Sequence, residues 1–326
     1  MDPIALAATK QAKAYHPFSF HVLALLMPFS AFGVLARLGL TALTTYSGES
    51  IFPLAYIQTI GCLIMGFCLA LKEPITRYYP PAYTAFTTGF CASLTTFSGW
   101  QLDIFKSWLN ANNAPRSPLH NAVDGVCKSV FTISLSLASL FYGMHLASII
   151  SPYFRAAPPP GRVFRAAAVV LAVCIYAATI PAYYLLPRDY RHQATAALLF
   201  SFPGTLTRHV LSTALNSVVP SFPLGTYASN AFGTALLGTF TVLQNTVDRP
   251  LSGATCTMLQ GLADGYCGCL TTVSTFVAEL ATLETAGHKY RYTLVTWATG
   301  QIILVCIFGA LFWGGSIEKS QTCVFG

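Results

Sequence analysis

Long stretches without a charged residue constrain the fold of this chain more than any motif does. Seven intervals contain no Asp, Glu, Lys or Arg: 14–36, 50–71, 78–102, 129–154, 166–187, 209–247 and 292–317. A transmembrane helix needs about 20 mostly apolar residues, and each interval has room for at least one. The sequence therefore predicts a polytopic membrane protein with almost no extramembrane domain.

The composition excludes several other classes of protein. Charged residues make up 9% of the chain, whereas a soluble domain carries about 25%. The net charge is +7, and its basic residues lie in short loops, which suits lipid headgroups rather than nucleic acid. Most of the ten cysteines fall within apolar segments, where cysteine behaves as a small hydrophobe.

Nine transmembrane helices are predicted, because lipid offers no partner for unpaired backbone groups. Their approximate spans are 18–46, 52–71, 82–105, 122–150, 163–186, 194–217, 222–243, 258–283 and 290–313. The predicted domains are a four-helix repeat at 18–150, a linker with one central helix at 151–193, and a second four-helix repeat at 194–313. The segments 1–17 and 314–326 are read as short tails.

Three motifs recur in the same order in both halves of the chain. Gly33–Arg37 returns as Gly204–Arg208 and Gly61–Gly66 as Gly233–Gly238, while the motif Gly89–Ser98 returns as Gly265–Ser274. The offsets of 171, 172 and 176 residues nearly agree, which indicates that the halves are homologous.

The single helix between the repeats sets their relative direction. Four spans return the chain to its starting side, so a fifth span places the second repeat upside down. We therefore expect an all-α membrane protein in which two antiparallel four-helix repeats form an inverted repeat, joined by one linker helix. Nine Lys and Arg residues fall on the N-terminal side and seven on the other, a weak preference for a cytoplasmic N-terminus.

The third span of each repeat carries a Leu-Thr-Thr-x-Ser motif, Leu94–Ser98 and Leu270–Ser274. Clustered hydroxyl and β-branched residues beside glycine continue a helix poorly, so we predict a broken helix in each half. Carbonyl groups released by two such breaks would suit a cation. The alternative is a threonine-rich kink without a ligand.

This pattern resembles the small fluoride channels of the Fluc family, which are antiparallel dimers of four-span subunits. A chain with two such units fused through a linker helix is similar to the eukaryotic fluoride exporters of the FEX family. The resemblance covers residues 20–313. It implies a structural Na⁺ held by backbone carbonyls of the two broken helices, at Ala92, Thr95, Gly268 and Thr271.

The resemblance also implies two ion pathways, each with one aromatic residue from each half. One pathway combines Phe97 and Phe276 with the amide of Asn230, while Ser274, Tyr292 and Thr296 extend a polar track. Fluoride needs close donors in place of water; the Asn230 amide supplies two N–H groups, and an aromatic ring has a positive edge. The other pathway combines Gln58, Trp100 and Val273, all altered from the family pattern, and is predicted to be vestigial.

Charged residues within the spans need a separate reason. Arg37 and Arg208 are either anion-attracting vestibule residues or structural anchors bonded to carbonyls, because an isolated Arg in a membrane is costly. Asp103 and Glu279 occupy matched positions after the two breaks. They either stabilise their surroundings or couple transport to protons.

The leading hypothesis is a passive fluoride channel of the plasma membrane, functional as a monomer, that exports F⁻ down its electrochemical gradient. A coupled secondary transporter of another small anion or solute is the alternative, with Asp103 and Glu279 as proton carriers. An intramembrane enzyme is not expected, because no Ser/His or paired-Asp catalytic set is evident in the spans.

Overall fold

The protein is described here from a computed structural model. It covers residues 15–111, 113–153, 158–187, 194–246, 251–315, 317–318 and 322–323. Within these residues the chain is helical apart from turns and one isolated antiparallel bridge between Thr246 and Ile317. The predicted tails, 1–17 and 314–326, lie largely outside the described residues.

The first half and the linker contain nine α-helices within the described residues, numbered here in chain order. They are α1 (Phe20–Thr44), α2 (Pro53–Ala70), α3 (Lys72–Tyr78), α4 (Pro80–Thr84), α5 (Ala92–Leu94), α6 (Phe97–Trp108), α7 (Pro118–Ile150), α8 (Arg162–Ala177) and α9 (Thr179–Leu185). A π-helical stretch, Ala85–Cys91, joins α4 to α5. A short 3₁₀ turn, Ser151–Tyr153, follows α7.

The second half has a similar order of elements, with one short helix instead of two leading into its first π-helical stretch. Its helices are α10 (Ala196–Leu215), α11 (Leu224–Gln244), α12 (Gly253–Gly261), α13 (Gly268–Leu270), α14 (Ser274–Thr282), α15 (Ala286–Leu304) and α16 (Ala310–Trp313). Again a π-helical stretch, Leu262–Cys267, leads into the short helix before the break. A third π-helical stretch, Val305–Gly309, joins α15 to α16.

Five uninterrupted helical segments are long and apolar enough to cross a membrane by length and composition. They are Phe20–Thr44, Pro53–Ala70, Pro118–Ile150, Arg162–Leu185 and Ala286–Trp313. The helices α10 and α11 are of similar length, but their Thr, Ser and Gly content lowers their hydropathy. The protein is therefore an all-α membrane protein with several apolar helices.

Both predicted helix breaks are confirmed. Thr95 and Thr96 adopt extended backbone angles between α5 and α6, and Thr271 does so after α13. The side chain of Thr96 accepts a hydrogen bond from the Gly99 N–H and so caps the new helix α6. Threonine favours such positions because its hydroxyl competes for backbone partners.

The largest apolar clusters of the described residues each combine residues of both halves. The largest buried cluster combines Phe97 and Trp100 of α6 with Phe276 of α14 and Tyr292 of α15. The first helices of the halves, α1 and α10, also pack together, and the linker helix α8 packs on α1. The breaks therefore lie where the halves meet.

Close packing of α2 against α7 depends on two reciprocal glycines. A Cβ atom on Gly66 would collide with the backbone carbonyl of Leu140, and one on Gly143 would collide with the carbonyl of Leu63. Small residues at such crossings let helix backbones approach closely in membranes. Backbone atoms cannot rotate away, so any side chain at these positions forces the helices apart.

We expect Gly66→Ala to lower the free energy of unfolding by about 1–3 kcal/mol through overpacking. Gly39→Ala is the matched control, since Gly39 lies in the same kind of helix with nothing within 4 Å of its Cβ position. Thermal unfolding in detergent measures both variants. Equal melting temperatures would contradict this account of the α2–α7 contact.

Candidate functional site

Each broken helix is capped by the threonine of the other half. The hydroxyl oxygen of Thr95 accepts hydrogen bonds from the N–H groups of Val273 and Ser274, at 3.3 and 3.1 Å. In return, the Thr271 hydroxyl accepts a hydrogen bond from the Ser98 N–H at 3.1 Å. The first N–H groups of a helix have no partner within the helix, so each half completes a helix of the other.

A cluster of hydroxyl groups surrounds this exchange. Thr95 Oγ1 lies 3.2 Å from Thr272 Oγ1, and Thr96 Oγ1 lies 3.1 Å from Thr271 Oγ1. Ser98 Oγ also contacts Thr271 Oγ1 at 2.9 Å. All of these side chains are buried. The centre of the molecule is thus a continuous polar network enclosed by apolar helices.

Two amide side chains fix the extended backbone between the helix fragments. Asn230 Nδ2 donates to the Thr272 carbonyl at 3.2 Å, and the Thr272 N–H donates to Asn230 Oδ1 at 2.9 Å. Gln58 makes the same pair of bonds to Thr96, at 2.7 and 3.3 Å. The prediction of two N–H donors for an anion on Asn230 is therefore wrong: one is bonded to the backbone, and one is left.

Arg37 binds carbonyl groups of both halves. Its Nη1 atom donates to the Ser93 carbonyl at 2.7 Å and to the Gly268 carbonyl at 2.8 Å. Its Nη2 atom donates to the carbonyl of Asp264. The side chain is buried, so these bonds replace the water that a guanidinium would otherwise require.

Arg208 of the second half makes equivalent contacts, with one carbonyl of its own half and one of the first half. Its Nε atom donates to the Cys269 carbonyl at 2.8 Å, and its Nη2 atom donates to the Thr88 carbonyl of the first half, also at 2.8 Å. Each arginine thus connects the short helix before the break of its own half with the π-helical stretch of the other half. This geometry is that of a structural anchor, one of the two alternatives for these residues.

The four carbonyl groups implied for a sodium ion differ in their surroundings. Thr95 and Thr271 lie in the breaks, where their carbonyl oxygens accept no backbone hydrogen bond within the described residues, and Ala92 begins the short helix α5. Each of these three residues is fully buried. The Gly268 carbonyl accepts the bond from Arg37, which leaves one of its two lone pairs. Buried oxygens without donors suit a hard monovalent cation, so the donor set fits, with Arg37 beside its fourth member.

The aromatic residues of the two predicted pathways form one continuous row. The ring centroids of Trp100 and Phe97 are 5.4 Å apart, those of Phe97 and Phe276 are 5.9 Å apart, and those of Phe276 and Tyr292 are 5.0 Å apart. All four side chains and that of Val273 are buried. The structure thus brings Phe97 and Phe276 together edge to face.

Glu279 is held by three donors next to this row. Its Oε2 accepts a hydrogen bond from the Tyr292 hydroxyl at 2.7 Å. Its Oε1 accepts bonds from Thr226 at 2.6 Å and Asn216 at 3.0 Å. The Tyr292 proton is therefore engaged by Glu279, and the place of this hydroxyl in a polar track stays a prediction. Thr296, one turn further along α15, has a buried hydroxyl without a partner among the described residues.

In the first half, the residue that matches Glu279 forms an ion pair instead of accepting hydrogen bonds from neutral donors. Lys128 Nζ lies 2.8 Å from Asp103 Oδ1, and Asp103 matches Glu279 in the repeat. The Lys128 carbonyl accepts a hydrogen bond from Trp100 Nε1 at 3.1 Å. Lys128 has no pathway role in the sequence-based prediction, where it is one of the seven basic residues assigned to the side opposite the N-terminus.

Two of the cavities within the described residues border the two helix breaks. The larger, of about 590 Å³, is lined by Thr96, Ser98, Arg37 and Lys106. The smaller, of about 260 Å³, is lined by Thr275, Glu279 and Thr282. Lys106 matches Thr282 in the repeat, 176 residues further along the chain. The repeated sequence thus produces two related cavities that differ in charge.

A helical membrane protein with two homologous halves joined at paired broken helices belongs to the class of membrane transport proteins. A family model described as "CrcB-like protein, Camphor Resistance (CrcB)" matches the chain twice, at residues 24–144 and 195–313. The chain belongs to this CrcB-like family, with two copies of the family unit in one polypeptide.

Several named relatives are similar to the chain. "Fluoride export protein 1" of Neurospora crassa is 33% identical, over 94% of this chain and 70% of that protein. "Fluoride export protein 1" of Schizosaccharomyces pombe is 34% identical, over 89% of this chain and 96% of that protein. The "Fluoride-specific ion channel FluC" of Chromobacterium violaceum is 39% identical over 26% of this chain and 64% of that protein. No solved structure matches.

The reciprocal caps predict the effect of removing one hydroxyl group. We expect Thr95→Val to lower the free energy of unfolding by about 1–3 kcal/mol, because two buried N–H groups of α14 lose their acceptor. The control is Thr239→Val, whose exposed hydroxyl bonds only a carbonyl of its own helix. Thermal unfolding in detergent compares them; a Thr95 variant as stable as the Thr239 variant would refute the cap.

Proposed function

We propose that this protein is a passive, fluoride-selective channel that exports F⁻ across the plasma membrane down its electrochemical gradient. The observation that carries the proposal is the pairing of two broken helices at the centre of a chain whose fungal relatives are named fluoride export proteins. A channel needs no catalytic group, and the buried polar centre consists of hydroxyls, amides and backbone groups.

The proposed arrangement in the membrane has nine spans, with two antiparallel repeats joined by the linker helix. The reciprocal bonds of Thr95 and Thr271 and the crossed bonds of Arg37 and Arg208 support it, since the main contacts of one half have counterparts in the other. The division into repeats at 18–150 and 194–313 belongs to the same proposal. Because one chain contains both halves, we expect a functional monomer.

One pathway is proposed to conduct fluoride. It uses the remaining N–H of Asn230, the facing rings of Phe97 and Phe276, the hydroxyl of Ser274 and the unpartnered hydroxyl of Thr296. Tyr292 and Glu279 border it and fix its wall through their mutual hydrogen bond. A small anion gains close donors and positive ring edges there in exchange for its water.

The second pathway is proposed to be vestigial. Trp100 and Val273 replace the paired phenylalanines, and Gln58 replaces asparagine. The Lys128–Asp103 ion pair occupies the place where the first pathway has the Tyr292–Glu279 hydrogen bond. The Lys128 ammonium is already paired with a carboxylate, so it offers a passing anion neither a free donor nor a free positive charge.

A sodium ion is proposed to lie among the carbonyl groups of Ala92, Thr95, Gly268 and Thr271. It would supply positive potential at the centre of the molecule. The chain's own residues position the breaks around it, through the amides of Gln58 and Asn230 and through the two arginines. No fluoride step is assigned to the ion.

The membrane potential is sufficient to drive export without a coupled ion. A potential of 100 mV is worth about 2.3 kcal/mol for one charge, which sustains a gradient of about fiftyfold. The carboxylates that a proton-coupled transporter would use are both engaged, Glu279 with three donors and Asp103 with Lys128. Proton-coupled transport would require Glu279 or Asp103 to give up these bonds in each cycle, whereas the passive mechanism does not.

Fluoride efflux from proteoliposomes under an imposed voltage tests the conducting pathway. We expect Asn230→Ala to reduce efflux about tenfold or more, since a hydrogen bond to a charged group is worth about 1.5–3 kcal/mol. Gln58→Ala is the matched control, because it removes the equivalent backbone bonds in the other half. We expect Phe276→Ile to abolish efflux. Equal losses in the Asn230 and Gln58 variants would contradict the assignment, as would chloride flux comparable to that of fluoride.

The vestigial pathway predicts a restoration experiment in a Phe276→Ile background. Trp100→Phe, Val273→Phe and Gln58→Asn together reinstate the family residues, and we expect no fluoride efflux while the ion pair remains. Adding Asp103→Glu and Lys128→Tyr should restore efflux, because the pair then matches Glu279 and Tyr292. Fluoride efflux after the first three changes alone would show that the Lys128–Asp103 ion pair does not block the second pathway. A properly assembled protein with all five changes and no efflux would refute the proposed block.

A further inference from the structure

A disulfide bond connects two parts of the second half that no motif of the sequence links. Cys256 lies in α12, and Cys323 lies in the segment that follows α16, 67 residues further on. The eight other cysteines are free, and all of them lie within helices. Among the described cysteines, only Cys256 and Cys323 are paired, and Cys323 lies outside the helices.

The segment around Cys323 is also held by backbone hydrogen bonds. The Glu318 N–H donates to the Asn245 carbonyl at 3.1 Å, and Asn245 Nδ2 donates to the Glu318 carbonyl at 2.9 Å. The N–H groups of Thr322 and Cys323 both donate to the Gln244 carbonyl, at 3.0 and 3.2 Å. These contacts bring Cys323 to the end of α11, independently of the bond between the sulfur atoms.

The bridge lies on a defined face of the molecule. Thr45 after α1, Lys106 of α6 and Gln244 at the end of α11 line the rim of the larger cavity together with Gln260 of α12. We call this side the C-terminal face. With an odd number of spans, the residues before α1 lie on the opposite side, the N-terminal face.

We propose that the C-terminal face lies outside the cytoplasm, where the Cys256–Cys323 bridge forms, and that the N-terminal face is cytoplasmic. Structural disulfides form and persist in oxidising compartments, whereas cytosolic thiols are kept reduced. The assignment of the N-terminal face rests on the proposed nine-span arrangement. It agrees with the distribution of Lys and Arg, nine on that face against seven on the other. This difference alone is too small to fix the orientation.

The chemistry of the bridge requires an oxidant on that face. The Cys256 and Cys323 thiols lose two protons and two electrons as the S–S bond forms. The electrons pass by thiol–disulfide exchange to a protein disulfide of the secretory pathway, which is reduced to a dithiol. The smaller cavity, beside Glu279 and Thr282, then opens toward the cytoplasm, so fluoride enters on the side of the conducting pathway's carboxylate and leaves past the C-terminal face.

Sided thiol labelling in intact cells tests the proposal. A membrane-impermeant charged phosphine is applied outside, followed by an impermeant polyethylene-glycol maleimide, and the mass shift of the full chain is read on a denaturing gel. The three exposed free cysteines are first replaced (Cys127→Ser, Cys174→Ser and Cys306→Ser). In this background we expect two added labels after reduction and none without it, and none at all when Cys256→Ser and Cys323→Ser are added. Labelling without reduction, or labelling that requires permeabilised cells, would overturn the proposal.

A second measurement separates the bridge from the topology. In the variant without the bridge, Ser47→Cys on the C-terminal face should be labelled from outside, and Lys289→Cys should be labelled only after permeabilisation. Labelling of both from one side would refute the nine-span arrangement and the cytoplasmic N-terminal face, while the result for the bridge itself would stand. Fluoride efflux of the same variant in proteoliposomes is a separate readout: its loss would bear on the proposed function, not on the orientation.

Discussion

The structure depends on one constraint: a helix that breaks inside apolar surroundings exposes backbone groups that lipid cannot satisfy. Thr95 and Thr271 meet this constraint by capping the helix of the opposite half. Each broken helix is capped partly by its own half, as Thr96 caps Gly99, and partly by the other half, so assembly of the halves stabilises both breaks. A covalent fusion of the halves ensures that the partner is always present.

Duplication explains which features both halves keep and which one half loses. The amide-to-backbone bonds of Gln58 and Asn230 and the carbonyl bonds of Arg37 and Arg208 exist in both halves, because both breaks need support. The groups beside the aromatic row differ, with a hydrogen bond at Glu279 in one half and an ion pair in the other. One half can therefore lose residues suited to an anion without losing its structural role.

The sequence predicted the positions of the two helix breaks but not the hydrogen-bond partners of the side chains around them. The repeated Leu-Thr-Thr-x-Ser motif predicted both breaks, because local propensity determines where a helix ends. The bonds that engage the donors of Asn230 and Tyr292 were not predicted, since their partners, Thr272 in the second break and Glu279 in α14, belong to other segments of the chain. The pairing of Cys256 with Cys323 was missed for the same reason: spacing along the chain does not reveal which segments fold back onto a helix end.

The central claim is that fluoride crosses this protein passively, without a coupled proton. The most direct test is the reversal potential of the purified protein in a planar bilayer, with a tenfold fluoride gradient and an independent pH gradient. The account predicts a reversal potential of about 59 mV for a monovalent anion, unchanged when the pH gradient is inverted. A reversal potential that moves with the pH gradient, or that follows a chloride gradient, would contradict it.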